Sequence, residues 1–201
     1  MPRIQAESVA EHKAIIRRRL LDASMTLFSE LGYEATTFGD LAAEADVGRT
    51  TIYEYFTDKE DLLASLVEEE LPQTIGEMLE RLPEGSGTDR LVALARAMVE
   101  FIALDPTLGL LLHREVPKLN QEARVRVERA HLELIHEFVS LIRGGVARGE
   151  LRELPLDVLG RLVQDIIMSG AKVLIDAEDP HARMEEVTDA VVEVLLHGIE
   201  R

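Results

Sequence analysis

An arginine, two threonines and two tyrosines fall within seven residues, from Arg49 to Tyr55. Arginine can bond two acceptors on a guanine edge, threonine can meet a thymine methyl or a phosphate oxygen, and a tyrosine hydroxyl can reach phosphate. Lys59, four residues on, adds a cation that suits a phosphate oxygen. This is the chemistry of recognition. The residues of bond-making chemistry do not assemble in the same way. Glu133-x-x-His136 has the helical spacing of di-iron bundles, but those need a second such motif and two further glutamates, and the sequence has no second motif. His131 and His136 lie about 140° apart around a helix and share no face. There is no cysteine, no glycine-rich phosphate loop and no nucleophile elbow. No catalytic residue, metal ligand or cofactor is assigned.

The elements that must position Arg49–Tyr55 are helices. Apolar residues recur at helical spacing between Gly and Pro punctuation, and no stretch alternates long enough for a strand. Eight or nine helices account for the chain, which reads as all-α. The first starts near Ser8, with Ser8-x-x-Glu11 as a capping box. It carries the stripe Ile16, Leu20, Ala23, Leu27, Leu31 and stops at Gly32. A short second helix runs from Thr37 as N-cap to about Ala45, and a third from about Arg49 to Phe56. The fourth opens at a capping box, Thr57-x-x-Glu60, and passes Glu70. Residues 83–88 (PEGSGT) form a loop, and a fifth helix follows to Leu104. Asp105-Pro106 opens a sixth. Asn120 opens a long seventh that breaks at Gly144, Gly145 and Gly149. Pro155 starts an eighth, to about Asp176, and Asp179-Pro180 a ninth, to Gly198.

The second and third helices, joined through Asp46-Val47-Gly48, bury Leu41, Ala45, Val47, Ile52 and Phe56. That leaves Arg49, Thr50, Thr51, Tyr53 and Tyr55 outward. Such a pair is either a helix-turn-helix with its second helix in a DNA major groove or a plain helical hairpin with packed tyrosines. All three tyrosines and three of the five phenylalanines lie between Phe28 and Phe56. This segregation places a functional boundary near residue 70.

The stretch Gly32–Leu63 resembles the DNA-binding domain of the TetR family of bacterial transcriptional regulators. The matching residues are Gly32-Tyr33, Thr36-Thr37, Ala42–Val47, Tyr53–Phe56 and Lys59–Leu62. The resemblance implies a three-helix helix-turn-helix domain over 1–70 and a helical effector-binding and dimerisation domain over 71–201. It implies Thr37, Arg49, Thr50, Thr51, Tyr53, Tyr55 and Lys59 as the DNA-contacting set. The function it implies is that of a sequence-specific regulator, a repressor by family default, released from double-stranded operator DNA by a small-molecule effector of unknown identity. The alternatives are a di-metal-type helical enzyme and a structural adaptor without DNA activity. Asp46 stands where the family has glycine, Gly48 where it has a capping serine or threonine, and Phe38 where some relatives read bases.

Charge runs against a generally basic nucleic-acid coat. The 201-residue chain has a formal net charge of −16. Residues 1–67 hold 7 Lys/Arg against 12 Asp/Glu, yet residues 1–19 hold five basic residues, Arg3, Lys13, Arg17, Arg18 and Arg19, against two acidic ones. The negative charge is expected to lie away from DNA and to make specific binding strongly salt-dependent. No apolar run reaches 18 residues and the N-terminus has no hydrophobic signal core, so the expected location is the cytoplasm, with no membrane contact.

The last two helices carry more apolar surface than one core face needs. Either they are central in a monomer or they form a four-helix interface with a second copy, the reading adopted here. The expected interface residues are Leu159, Val163, Ile166, Ile167, Gly170, Val187, Val191, Val194 and Leu195. The family also implies a cavity among the fifth to seventh helices. Its candidate lining is Met98, Phe101, Ile102, Leu112, His113, Leu134, Phe138, Gln164 and Met168. With only Phe101 and Phe138 as rings, this lining suits an aliphatic or small amphipathic effector rather than a planar cation.

Overall fold

The computed structural model describes residues 2–199, with side chains from 9 to 198. Among the described residues there are nine α-helices, two short 3-10 segments and no strand. The helices are α1 (Pro2–Glu30), α2 (Phe38–Glu44), α3 (Lys59–Glu80), α4 (Gly87–Leu104), α5 (Pro106–Arg114), α6 (Gln121–Ala130), α7 (Leu132–Ala147), α8 (Leu156–Ile175) and α9 (Pro180–Ile199). Their contacts divide the chain into two compact units. The first holds the residues up to Glu69 together with Arg114–Val127; the second holds Glu70–His113 and the chain from Glu128 onward. The division expected at residue 70 therefore needs correction, because Arg114–Val127 belongs with the N-terminal helices.

In the first unit α1 packs on α2, and α2 on the 3-10 segment Thr51–Glu54. Leu20, Leu21, Leu41, Ile52, Phe56, Leu62, Leu63 and Leu66 are fully buried, joined by Leu119, Ala123 and Val127 from the later segment. Leu31, expected on the core stripe of α1, is exposed, and Leu21 and Phe28 are buried instead. The first helix begins six residues before Ser8, which lies within it; the Ser8 side chain falls outside the described ones. The third helix is shorter than expected, a 3-10 turn in place of an α-helix from Arg49 to Phe56. Gly48 supplies no side-chain cap, and the run Thr50-Thr51-Ile52 is β-branched, which disfavours a longer helix.

The second unit packs α4 against α7, α8 and α9, and α8 against α9. Its core includes Leu94, Val99, Ile142, Ile167, Ala171 and Leu174. Ser86 and Asp89 form a capping box that starts α4. The long seventh helix of the sequence reading is two helices separated at His131, while Gly144 and Gly145 stay helical. Gly149, at φ +74°, closes α7 in the left-handed conformation that glycine permits.

Candidate nucleic-acid interface

The interface is built by three short connections. Thr37 caps α2 in a reciprocal box: its backbone N–H donates to Asp40 Oδ2 at 2.9 Å, and the Asp40 N–H donates to Thr37 Oγ1 at 3.2 Å. The Thr37 hydroxyl also donates to Asp40 Oδ2, at 2.6 Å. These bonds, with the nearby Arg49 guanidinium, hold the Asp40 carboxyl below its ordinary value. At the turn Asp46 adopts φ +51°, where family members have glycine, and its N–H donates to the Ala43 carbonyl at 3.1 Å. Asp is among the few non-glycine residues that adopt this conformation at low cost. The Thr51 N–H then donates to the Gly48 carbonyl at 2.8 Å, which starts the 3-10 segment Thr51–Glu54.

The stretch from Arg49 to Tyr55 leaves Arg49, Thr50 and Tyr53 exposed and Thr51 and Tyr55 half-buried, as the outward face requires. Arg49 lies over Gly39 and makes no hydrogen bond or ion pair among the described residues, so its five N–H donors are free for a partner. Tyr53 is 59% exposed, with its ring tilted on Phe38 at 5.2 Å between centroids. Phe38 is thus a half-buried support for Tyr53.

Lys59 requires a correction. Its Nζ donates to the carbonyls of Tyr33 at 2.7 Å, Glu34 at 3.1 Å and Thr36 at 3.3 Å. An ammonium has three N–H donors, so none is left over for a phosphate in this conformation. It also lies 4.5 Å from the centroid of the Tyr33 ring. Burial, aided by Glu60, Glu115, Glu34 and Asp58, still pushes the Tyr33 phenol above its ordinary value. Only the folded geometry reveals this use of Lys59.

The basic stretch near the N-terminus is largely neutralised within its own unit. Arg17 pairs with Glu69 and lies 5.8 Å from the Phe56 ring centroid. Arg18 pairs with Asp22 at 2.8 Å, and Arg19 with Asp46 at 3.4 Å. The Arg3 side chain lies outside the described ones. Asp58, in place of the expected Thr57–Glu60 box, caps α3 by accepting the Asp61 N–H at 2.8 Å.

The second unit holds a small apolar pocket, partly open to solvent, with about 20 Å³ of enclosed space. Leu91, Val92, Leu94, Ala95 and Met98 of α4, Phe138 of α7, Val163 and Ile167 of α8, and Val192, Leu195 and Leu196 of α9 line it. Of the expected lining only Met98 and Phe138 are there. Phe101, Ile102, Leu134 and Met168 pack in or against the core, Leu112 and His113 are half-buried on α5, and Gln164 is exposed. Most of the expected interface residues are also internal. Leu159, Val163, Ile167, Gly170, Val187, Val191 and Leu195 are buried within the unit, Ile166 is half-buried and Val194 is exposed. Gly170 serves the approach of α8 to α9 of the same chain, since a Cβ there would overlap Val191 Cγ2. No group of three or more acidic or histidine side chains that could hold a metal ion occurs among the described residues, and Glu133 and His136 are exposed on α7. Among the same residues no helix is long and apolar enough to cross a membrane.

An all-helical chain with a capped short helix, a left-handed turn and an outward Arg/Thr/Tyr segment has the build of a helix-turn-helix DNA-binding regulator. Comparison with known proteins agrees. Residues 20–66 match the family model of bacterial regulatory proteins of the tetR family, and residues 84–171 match the tetracyclin repressor-like C-terminal domain. The chain is 27% identical over 189 residues to the fatty acid metabolism regulator protein of Bacillus subtilis, covering 90% of this chain and 94% of that one. The crystal structure of the transcriptional regulator FadR from Bacillus subtilis in complex with stearoyl-CoA shares the fold, with a TM-score of 0.74 at 24% identity over 91% of this chain and 99% of that one. A TetR transcriptional regulator family member from Streptomyces coelicolor matches with a TM-score of 0.65 at 27% identity, over 90% and 91% of the two chains. The chain belongs to the TetR family of transcriptional regulators and is a DNA-binding regulator.

Proposed function

We propose that this regulator is a homodimeric repressor, acting in the cytoplasm where its DNA lies, and released from its operator by an effector with an aliphatic chain, of the acyl-thioester class. The apolar pocket carries the proposal: its lining is aliphatic apart from Phe138, which suits a hydrocarbon chain and gives a planar cation only one ring to stack on. The similar fatty acid metabolism regulator supports the class. Seating an acyl chain requires α4, α8 and α9 to part, so binding and a change of shape are one event. DNA contact is assigned to Arg49, Thr50, Thr51, Tyr53 and Tyr55, with Thr37 presenting the start of α2 to the backbone.

The dimer face is assigned to the exposed side of α8. Val158, Leu162, Ile166 and Val173 fall within about 80° of one another around the helix, and Val194 of α9 is likewise exposed. Two half-sites one DNA turn apart require reading segments spaced about 34–36 Å, which a dimer provides. Leu162→Asp should give a folded monomer in sedimentation, and unchanged dimer mass would exclude this face. The effector is tested by calorimetric titration of stearoyl-CoA with and without a duplex that the protein has selected from a random pool. Linkage requires DNA to weaken ligand binding, and a 100-fold effect corresponds to about 2.7 kcal/mol. Equal affinity in both titrations would rule out the release mechanism.

A further inference from the structure

The first turn of α3 ties down both ends of the helix-turn-helix. Lys59 holds the connection into α2 through the Tyr33, Glu34 and Thr36 carbonyls. Two residues on, Asp61 Oδ2 accepts the Thr57 backbone N–H at 2.8 Å and the Thr57 hydroxyl at 3.2 Å. Thr57 directly follows Phe56, the buried residue that closes the reading segment.

The same turn is gripped by a segment more than fifty residues later. Glu60 Oε2 accepts the Asn120 backbone N–H at 2.7 Å. Asp61 Oδ1, the carboxylate oxygen not used by Thr57, accepts from Arg126 Nη1 at 2.6 Å. The Arg126 guanidinium is spread over one face of α3: Nη2 donates to Ser65 Oγ at 2.7 Å and Glu68 Oε2 at 2.6 Å, and Nε donates to Glu68 at 3.0 and 3.1 Å. Asp61, Ser65 and Glu68 follow the four- and three-residue steps that share a helix face.

We propose that Arg126 is a positioning residue for DNA reading: it fixes the Asp61 carboxylate, and through Asp61 it sets the end of the Arg49–Tyr55 segment. A carboxylate is planar and rigid, so a bond that fixes Oδ1 also fixes the direction of Oδ2. The planar fork of arginine matches this set of acceptors, and a lysine in its place keeps the charge but loses the fork. An exposed ion pair would contribute little, but here Arg126 and Asp61 are each about one quarter exposed, Arg126 donates to three side chains and Asp61 accepts from three donors. The proposal rests on Arg49–Tyr55 as the reading segment.

The test begins with selection of a duplex from a random pool by the wild-type protein. Affinities for that duplex and for a scrambled one of equal length are then read by fluorescence anisotropy. Arg126→Lys and Asp61→Asn should each weaken the selected duplex by about tenfold and leave the scrambled duplex unchanged, and the double variant should be no worse than either single one. Arg90→Lys, which disturbs the Arg90–Glu137 pair at 2.7 Å in the second unit, should leave the ratio of the two affinities within about twofold. A general loss of stability would lower both affinities together, so parallel losses would overturn the proposal. So would wild-type affinity for the selected duplex in both single variants. If the wild-type protein enriches no sequence, the DNA-reading assignment fails first and the proposal with it.

Discussion

The two units hold their parts in place by different means. The first relies on directional bonds: Lys59 on three carbonyls, Asp61 between Thr57 and Arg126, the Thr37–Asp40 box and one left-handed aspartate. The second relies on close packing between helices, with Gly170 under Val191 and Ile167 and Leu174 sealed in the core. A hydrogen bond specifies direction but contributes only about 1 kcal/mol net, whereas a packed side chain contributes more and specifies direction less. Polar changes in the first unit should therefore alter what is read more than they alter stability. Apolar changes in the second should do the reverse.

The largest expected effect breaks the second unit outright. Ile167 is 1% exposed. Ile167→Asp buries an unpaired carboxylate, at a cost of more than about 4 kcal/mol. Thermal unfolding by circular dichroism should show loss of the cooperative transition. A folded monomer would instead show that Ile167 faces a partner copy. Gly170→Ala follows in size. Val191 is β-branched and cannot swing away, so the added methyl should lower stability by about 1–3 kcal/mol, read as a reduced melting temperature. An unchanged melting temperature would mean that α8 and α9 are not in close contact.

In the first unit Lys59→Met removes all three donors and leaves the carbonyls of Tyr33, Glu34 and Thr36 to water. About 1–3 kcal/mol of stability should be lost. The discriminating measurement is the salt dependence of binding to a selected duplex. If Lys59 touched phosphate, the slope of log K against log salt would fall by about one per protomer. The structure leads us to expect no change of slope.

These corrections show what was legible in the sequence. The helix-turn-helix could be read because its signals are local: the Thr37 cap, the Asp46-Val47-Gly48 turn and apolar spacing that leaves Arg49 and Tyr53 outward. The use of Lys59 could not, because its partners lie 23 to 26 residues away. Nor could the membership of Arg114–Val127, whose ties to Glu60, Asp61 and Glu68 form only in the folded unit. The α8 error is one of phase. That helix is apolar on two sides, and only the positions of α4 and α9 show that Ile167 faces inward while Leu162 faces out. The break at His131 has no glycine or proline to announce it.

Acid gives a smaller test of the same contrast. Burial raises the Asp61 carboxyl, but the Thr57 N–H and Arg126 outweigh it and hold the group below its ordinary value. A depressed carboxylate contributes stability that is fully present above its unfolded value of about 3.9 and is lost as pH falls through the folded value. Asp61→Asn should therefore narrow the stability difference from wild type only below about pH 4. A narrowing already at pH 6 would assign the acid sensitivity to another group.

The smallest expected effect concerns Asp46, the one non-glycine residue with positive φ among those described. Two contributions of opposite sign meet there. Glycine would relieve the left-handed strain, which is of order 1 kcal/mol for an ordinary residue and less for aspartate. It would also remove the Arg19–Asp46 pair at 3.4 Å, an exposed contact that contributes from about 0 to 1 kcal/mol. Asp46→Gly should therefore change stability by less than about 0.5 kcal/mol in either direction. Asp46→Ala keeps the strain and loses the pair, and should cost about 1 kcal/mol or more. Denaturant midpoints at unchanged slope separate the two variants. The glycine variant also takes the Asp46 carboxylate away from Arg19 while leaving its 3.4 Å bond to the Asp46 carbonyl, and one anion fewer in this unit should raise affinity for selected and scrambled duplexes alike and steepen the salt dependence. If Asp46→Gly raised affinity for the selected duplex alone, the turn would be setting the reading geometry directly, and the first unit would owe its precision to this backbone bend as much as to the bonds around α3.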